Sequence, residues 1–356
     1  MSVGYVAVQW NRHKRVYDVL VAGGVVAFLV VFIGVGKLVF RGDEAISDPI
    51  LLMRALGACA LVMLHIILCI GPLARIDRRF LPLLYNRRHL GVATFLVGFL
   101  HGTVAIGFYH GFGNVNPLVS LLTSNTNFGS LSAFPFQILG AAGLFIMFLM
   151  AATSHDFWLK NLSTATWKRL HMLVYLAYGL LVMHVVLGAL QSQRSVWLAG
   201  ALSVGVLAVV SLHLLTGLRE YGRDRRGMAV AVSDEDLMID VGSVDEIADN
   251  RAKTVCLAGR ERIAVYRFDG QIAAIANVCA HQGGPLGEGK IVDGCVTCPW
   301  HGWQYRPQDG QSPPPFTEKV PTHRVRIQAR RVLVDPRPLP PGTAVEPARF
   351  ESSPNG

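Results

Sequence analysis

The sequence predicts a membrane α-helical bundle of six transmembrane helices followed by a small all-β domain, and three observations support that fold class. Apolar residues make up 51% of the chain and charged ones only 16%, an excess beyond that of ordinary soluble domains. The excess is confined to six stretches, at residues 17–40, 50–74, 90–112, 134–154, 170–190 and 196–217, each near the length of about 20 residues that a bilayer crossing needs. From residue 232 onward, short apolar–polar alternations separated by turn residues take over, as in a soluble β domain. The chain therefore divides into an N-terminal segment (1–16), the bundle (17–218), a basic linker (219–234), the β domain (235–340) and a disordered tail (341–356) whose prolines and few apolar anchors give it no core of its own.

The first apolar run is long and lacks a small-residue cleavage site, so it reads as a retained helix and not as a removed signal peptide. Basic residues flank the spans unevenly. Arg12, Lys14, Arg15, Arg75, Arg78, Arg79, Arg87, Arg88, Lys160, Lys168, Arg169, Arg219, Arg223, Arg225 and Arg226 fall on one side; Lys37, Arg41, Arg54 and Arg194 fall on the other. The positive-inside rule then places both termini and the β domain in the cytoplasm, in a multi-pass protein of the cytoplasmic (inner) membrane. The net charge of +9 is an orientation signal and points to no nucleic-acid partner. Cys59 and Cys69 lie within a span and Cys256 reads as a core residue, so the six cysteines form no disulfide framework.

Imidazole is costly in hydrocarbon, so each intramembrane histidine is a functional candidate. His65, His101, His171, His184 and His213 lie within spans, with His89, His110 and His155 near span ends. Spans three and five run outward from Arg87-Arg88 and Lys168-Arg169, and His101 and His184 both fall about 20 Å beyond those clusters. Two imidazoles at matched depth on different helices can clamp one haem iron from opposite sides. His171, nearer the cytoplasmic face on the span that carries His184, can serve a second haem. Its partner is either His89, which matches it in depth but is rotated around its helix, or His65, which lies deeper.

The run Arg87-Arg88-His89-Leu90-Gly91 leading to His101, with Trp167-Lys168-Arg169-Leu170-His171 leading to His184, resembles the ferric reductase-like transmembrane family. That family includes haem-binding subunits of bacterial methionine sulfoxide reductases and the membrane cores of NADPH oxidases. The resemblance spans residues 50–217 and implies b-type haem, one or two, with electron transfer from the cytoplasm to the opposite face. Span three lacks a second histidine at the family's offset, and no flavin or nicotinamide domain follows span six.

In the β domain, Cys279-Ala280-His281 and Cys298-Pro299-Trp300-His301 each supply one thiolate and one imidazole from glycine- and proline-rich loops. Two sulfurs on one iron and two imidazoles on the other make a Rieske-type [2Fe-2S] centre. The competing chemistry is a Cys2His2 zinc site that recruits Cys295, although zinc motifs group Cys with Cys and His with His. Lys290, which follows several glycines, suggests a phosphate loop, but no Ser or Thr comes after it. The two motifs, continued as Gln282-Gly283-Gly284 and Gly302-Trp303, resemble the ferredoxin-type Rieske family over residues 235–340. In related high-potential proteins each ligand loop carries a further cysteine and the two form a disulfide. Gly283, Gly284 and Trp300 stand in that region here, which implies the lower end of the Rieske potential range, about −150 mV.

Together these features describe an oxidoreductase component without a flavin or NAD(P) domain of its own. A cytosolic donor such as a reductase or a ferredoxin would feed the cluster, and haem would pass electrons to a quinone or a periplasmic acceptor. The reverse, quinol-linked direction and a redox sensor are the rival readings. A ring-hydroxylating oxygenase would need a large further domain for its mononuclear iron, and too few residues follow His301 to build one. The uncharged loop 110–133 reads as a lid on the outer side.

Overall fold

The computed structural model describes residues 12–42, 45–154, 158, 162, 164–226, 238–257 and 261–350. The chain separates into two compact units, Trp10–Thr216 and one that contains Gly217–Gly356.

The first unit is helical: α1 (Arg12–Val39), α2 (Asp48–Ile76), α3 (Leu81–Tyr85), α4 (Arg87–His110), α5 (Pro117–Thr123), α6 (Phe136–Ala152), α7 (Thr164–Met172), α8 (Val174–Val185) and α9 (Val196–Arg226). α7, α8 and the π turn Val186–Leu190 join into one rod, Thr166–Gln193. Among the described residues, five helices are long and apolar enough to cross a bilayer. The remaining expected span is α6, whose 17 residues begin after Pro135 and rise about 26 Å, the short end of the spanning range. Of the six expected spans, five are thus matched by helices of full spanning length, and the sixth by an apolar helix shorter than the rest.

Apolar side chains on the outer faces, among them Val30, Val204 and Leu207, are exposed as lipid contact requires. Without a hydrophobic drive between helices, small residues set the close approaches. α4 packs on α2 and α6, and α6 on α8. A Cβ on Gly98 would sit 3.9 Å from Ala60, and one on Gly143 would strike Leu181 at 2.8 Å.

The second unit is all β apart from the end of α9. Its sheets are β1-β10-β9 (Ile239–Ser243, Arg331–Val334, Val325–Gln328), β11-β4-β3-β2 with β8 also on β4 (Ala348–Arg349, Gln271–Ala276, Arg262–Phe268, Arg251–Cys256, Thr322–His323), and β5-β6-β7 (Lys290–Val292, Cys295–Thr297, Gln304–Tyr305). Two-residue turns fix the antiparallel registers. Asp269-Gly270 joins β3 to β4, Asp293-Gly294 joins β5 to β6 and Ala329-Arg330 joins β9 to β10, each with both turn residues at positive φ, the hand that matches strand twist. The two-residue period of β3 and β4 feeds two cores. Ile263, Val265, Ile272 and Ala274 face one, while Ala264, Tyr266, Ala273 and Ile275 face the other, which also holds Cys279, Cys298, Trp303 and Tyr305.

Two expected boundaries shift. The linker expected over 219–234 begins as helix, since α9 continues to Arg226; 227–237 lie outside the described residues. The tail expected to be disordered over 341–356 is ordered to Phe350. Gln311 Nε2 donates to the Gly342 carbonyl at 2.9 Å, the Val345 amide to Gln308 at 2.7 Å and the Phe350 amide to Gly270 at 3.2 Å. Its prolines restrict the backbone, and the domain surface supplies hydrogen bonds that a tail without a core cannot supply itself. Residues 351–356 and His155 lie outside the described residues.

Candidate functional site

The β4–β5 and β6–β7 loops close in the same way. The Cys279 amide donates to Gly284 and the Gly283 amide returns to Cys279; the Cys298 amide donates to Trp303 and the Gly302 amide returns to Cys298. Gly283 (φ 71°) and Gly302 (φ 70°) occupy the left-handed region that glycine tolerates best. The matched hairpins bring Cys279 and Cys298 together, 1% and 2% exposed, and set the His281 and His301 rings 5.2 Å apart at 83°. The sulfurs are buried and both imidazoles are half-buried.

Burial would push the Cys279 thiol up. Hydrogen bonds from Cys298, from Tyr305 and from the amides of His281 and Gln282 outweigh it and bring the thiol down to about 7. Cys298 is driven up by its hydrogen bond with Cys279 and then by burial, with the Trp300 and His301 amides opposing. Tyr305 Oη lies 3.3 Å from Cys279 Sγ. Trp303 stacks on His281 at 4.1 Å and 9°, and its indole N–H donates to Ser312 Oγ at 2.9 Å. A Cβ on Gly284 would fall 2.7 Å from Cys298 Sγ, so the backbone passes closely under the sulfur.

This donor set fits a two-iron centre. Amides aimed at sulfur favour thiolate ligands, and each iron of such a centre draws only two ligands from protein. Among the described residues no three His, Cys, Asp or Glu side chains gather tightly enough to hold one metal ion, as a zinc site would require. Cys295, the thiol that zinc could have recruited, sits on β6 with its acidity suppressed by burial.

In the helical unit, the His101 and His184 rings lie 6.3 Å apart at 81°. His101 Nδ1 bonds the Met53 carbonyl of α2 at 2.9 Å, and His184 Nδ1 bonds the Phe136 carbonyl of α6 at 2.8 Å. A carbonyl only accepts, so each Nδ1 carries the proton and each Nε2 keeps its lone pair. Two imidazoles bound through Nε2 to one metal at about 2 Å hold their centroids about 6 Å apart, so the pair fits a haem iron.

The other histidines are engaged elsewhere. His89 Nδ1 meets Asp18 Oδ1 of α1 at 2.8 Å. His171 stacks on Trp167 at 3.8 Å, bonds that residue's carbonyl through Nδ1, and has Nε2 3.5 Å from Ser154 Oγ. His65 bonds the Leu61 carbonyl through Nδ1; its Nε2 is buried without a hydrogen-bond partner and lies against Gly205 of α9, where a Cβ would come within 2.5 Å. Among the described residues no ring contact joins His171 to His89 or His65. Sequence reasoning missed the two carbonyl acceptors, the Asp18 partner and the Tyr305 contact.

Comparison with known proteins bears on both sites. Residues 56–182 match the family described as ferric reductase like transmembrane component, and residues 238–324 match the Rieske [2Fe-2S] domain. The chain is 31% identical over 201 residues to the protein-methionine-sulfoxide reductase heme-binding subunit MsrQ of Caulobacter vibrioides, which covers 55% of this chain and 89% of that protein. It is 32% identical to the anthranilate 1,2-dioxygenase ferredoxin subunit of Burkholderia cepacia, over 27% of this chain and 88% of that protein. It is 42% identical over 69 residues to cholesterol 7-desaturase nvd of Xenopus laevis, 18% of this chain and only 15% of that much longer protein. The helical unit is thus similar to a heme-binding subunit, and the β unit to a dioxygenase ferredoxin subunit and to the Rieske [2Fe-2S] domain.

Proposed function

The chain belongs to the ferric reductase-like family of haem-binding membrane subunits and carries a Rieske [2Fe-2S] domain on the same polypeptide, and from that premise we propose that it relays single electrons from a cytosolic donor through the cluster and then through haem b to an acceptor at the opposite face. Bound in their sites, cluster and haem each exchange one electron at a time.

The observation that carries this reading is the coexistence in one chain of two donor sets built for one-electron centres: Cys279, His281, Cys298 and His301 in the β unit, His101 and His184 in the bundle. The cysteines hold the buried side of their centre, with backbone amides aimed at sulfur. His281 and His301 stand at its half-exposed side, where a redox partner can approach. The Met53 and Phe136 carbonyls lock the two membrane imidazoles in the tautomer that a haem iron requires. A hydrocarbon layer of about 30 Å excludes charged carriers, so fixed centres within the bundle are the means of crossing. The excess of basic residues beside Arg87 and Lys168 orients the β unit to the cytoplasm of the inner membrane. The donor is a soluble reductase or ferredoxin, and the acceptor a quinone or a periplasmic protein. One haem accounts for the paired histidines; His171, with His89 or His65, is the reserve set for a second.

Optical and EPR redox titration of the purified full-length protein tests the proposal. The expected result is a b-type haem spectrum with a rhombic cluster signal, haem lost and cluster kept in His101→Ala/His184→Ala. A colourless protein that contains zinc, or full haem retention in the double variant, overturns it.

A further inference from the structure

The two haem-facing histidines are held by the same device twice. The acceptor of His101 is Met53 and that of His184 is Phe136, each 48 residues earlier in the chain and each on the helix packed beside the ligand's own. One helical turn beyond each acceptor stands a glycine, Gly57 on α2 and Gly140 on α6. Residues four apart share a helix face, so carbonyl and glycine present themselves to the same ring. A Cβ at Gly57 would lie 2.9 Å from His101 Cε1 and 3.0 Å from Nδ1; one at Gly140 would lie 2.7 Å from His184 Nδ1 and 2.8 Å from Cε1. The missing methyl would strike the edge of the ring that carries the N–H. The ring could retreat only by stretching the bond to the carbonyl one turn back. Glycine weakens a helix relative to alanine, so its use at both equivalent positions points to the ring as the cause.

We propose that Gly57 and Gly140 are positioning residues that seat His101 and His184 against their backbone acceptors and so fix the ring planes offered to one haem iron. This rests on the haem reading above. Acceptor, glycine and histidine form a unit used once with α2 and α4 and again with α6 and α8, and the acceptor half, being backbone, is beyond the reach of side-chain substitution. The glycine is therefore a position through which a side chain can alter the ring's seat while the ligand and its acceptor carbonyl stay in place.

The test compares the full-length protein with Gly57→Ala, Gly140→Ala and a control, Gly98→Ala, on α4 of the same bundle, where the nearest atom to an added Cβ is 3.6 Å away. Haem per protein and the low-spin ferric EPR g values are read on the oxidised protein, and the cluster signal of a dithionite-reduced sample of the same preparation serves as the reference. Gly57→Ala and Gly140→Ala are each expected to weaken haem binding about tenfold or more and to move the g values, while Gly98→Ala changes neither. Wild-type g values and haem content in either variant, or an equal loss in Gly98→Ala, overturn the proposal. A wild type without haem overturns the functional reading instead. A second arm needs no haem. If the methyl acts through the ring, Gly57→Ala lowers the unfolding temperature of the wild type and loses that penalty in a His101→Ala background, where the ring is gone. A Gly57→Ala protein that fails to accumulate must then be recovered by His101→Ala, and a penalty that persists in the double variant shows ordinary helix packing and refutes the assignment.

Discussion

Replacing Tyr305 by Phe removes one hydroxyl from a fully buried side chain and, with it, the 3.3 Å contact to Cys279 Sγ. Burial and the neighbouring Cys279 push the phenol far up, so it remains protonated and donates to sulfur. Reduction adds a negative charge that the sulfur ligands share, and a donor aimed at sulfur favours it. Hydrogen bonds to charged acceptors contribute about 1.5–3 kcal/mol against about 0.5–1.5 kcal/mol for neutral ones, a difference of about 1 kcal/mol between the two oxidation states. For a one-electron couple that difference corresponds to about 40 mV, so the midpoint potential of Tyr305→Phe is expected about 40 mV below wild type. Phe keeps the ring that fills this core, so the cluster should assemble normally. An EPR-monitored redox titration of both proteins measures the shift. A potential that stays in place or rises would show that Tyr305 does not donate to Cys279.

Gly284→Ala places a methyl 2.7 Å from Cys298 Sγ, and should reduce bound iron about tenfold or more while the haem spectrum persists; iron analysis of the purified protein decides. Asp335 is buried and takes three hydrogen bonds from Arg337, which hold its carboxyl below the ordinary 3.8. A carboxyl lowered by folding stabilises fully above its unfolded value and loses that contribution as pH falls through the folded one, so Asp335→Asn should cost about 1–3 kcal/mol at pH 7. The gap between variant and wild type should narrow below pH 3.8 in denaturant titrations, and a gap independent of pH would refute the assignment. Phe350→Ala removes the ring lying 5.2 Å from the Arg267 guanidinium and packed on the second core, and should cost the β unit about 1–2 kcal/mol, read as a lower unfolding temperature.

The spans were legible because apolar length is a local property. That Cys279, His281, Cys298 and His301 come together was legible because each Cys-His pair lies within one short loop, so spacing along the chain mirrors spacing in space. His101 and His184 could be paired by depth, since helical rise converts residue number into distance. What held them could not be read, because a backbone carbonyl carries no sequence signature and Gly57 resembles any other glycine in a span. Asp18 beside His89 and Tyr305 beside Cys279 are tertiary meetings of the same kind. The terminal arm misled because proline content signals the absence of a core and says nothing of a neighbour on which to lean.

That arm also changes how the β unit behaves among copies of itself. Strand β4 would otherwise display a row of open amides and carbonyls along one side, but Ala348–Arg349 cover its Gln271–Ile272 end and Thr322–His323 its Ala274–Ile275 stretch. Exposed strand margins invite pairing with any extended chain nearby, and confinement to a membrane surface raises the frequency of such encounters. With this side of β4 paired within the domain, its amides and carbonyls are withheld from a neighbouring chain.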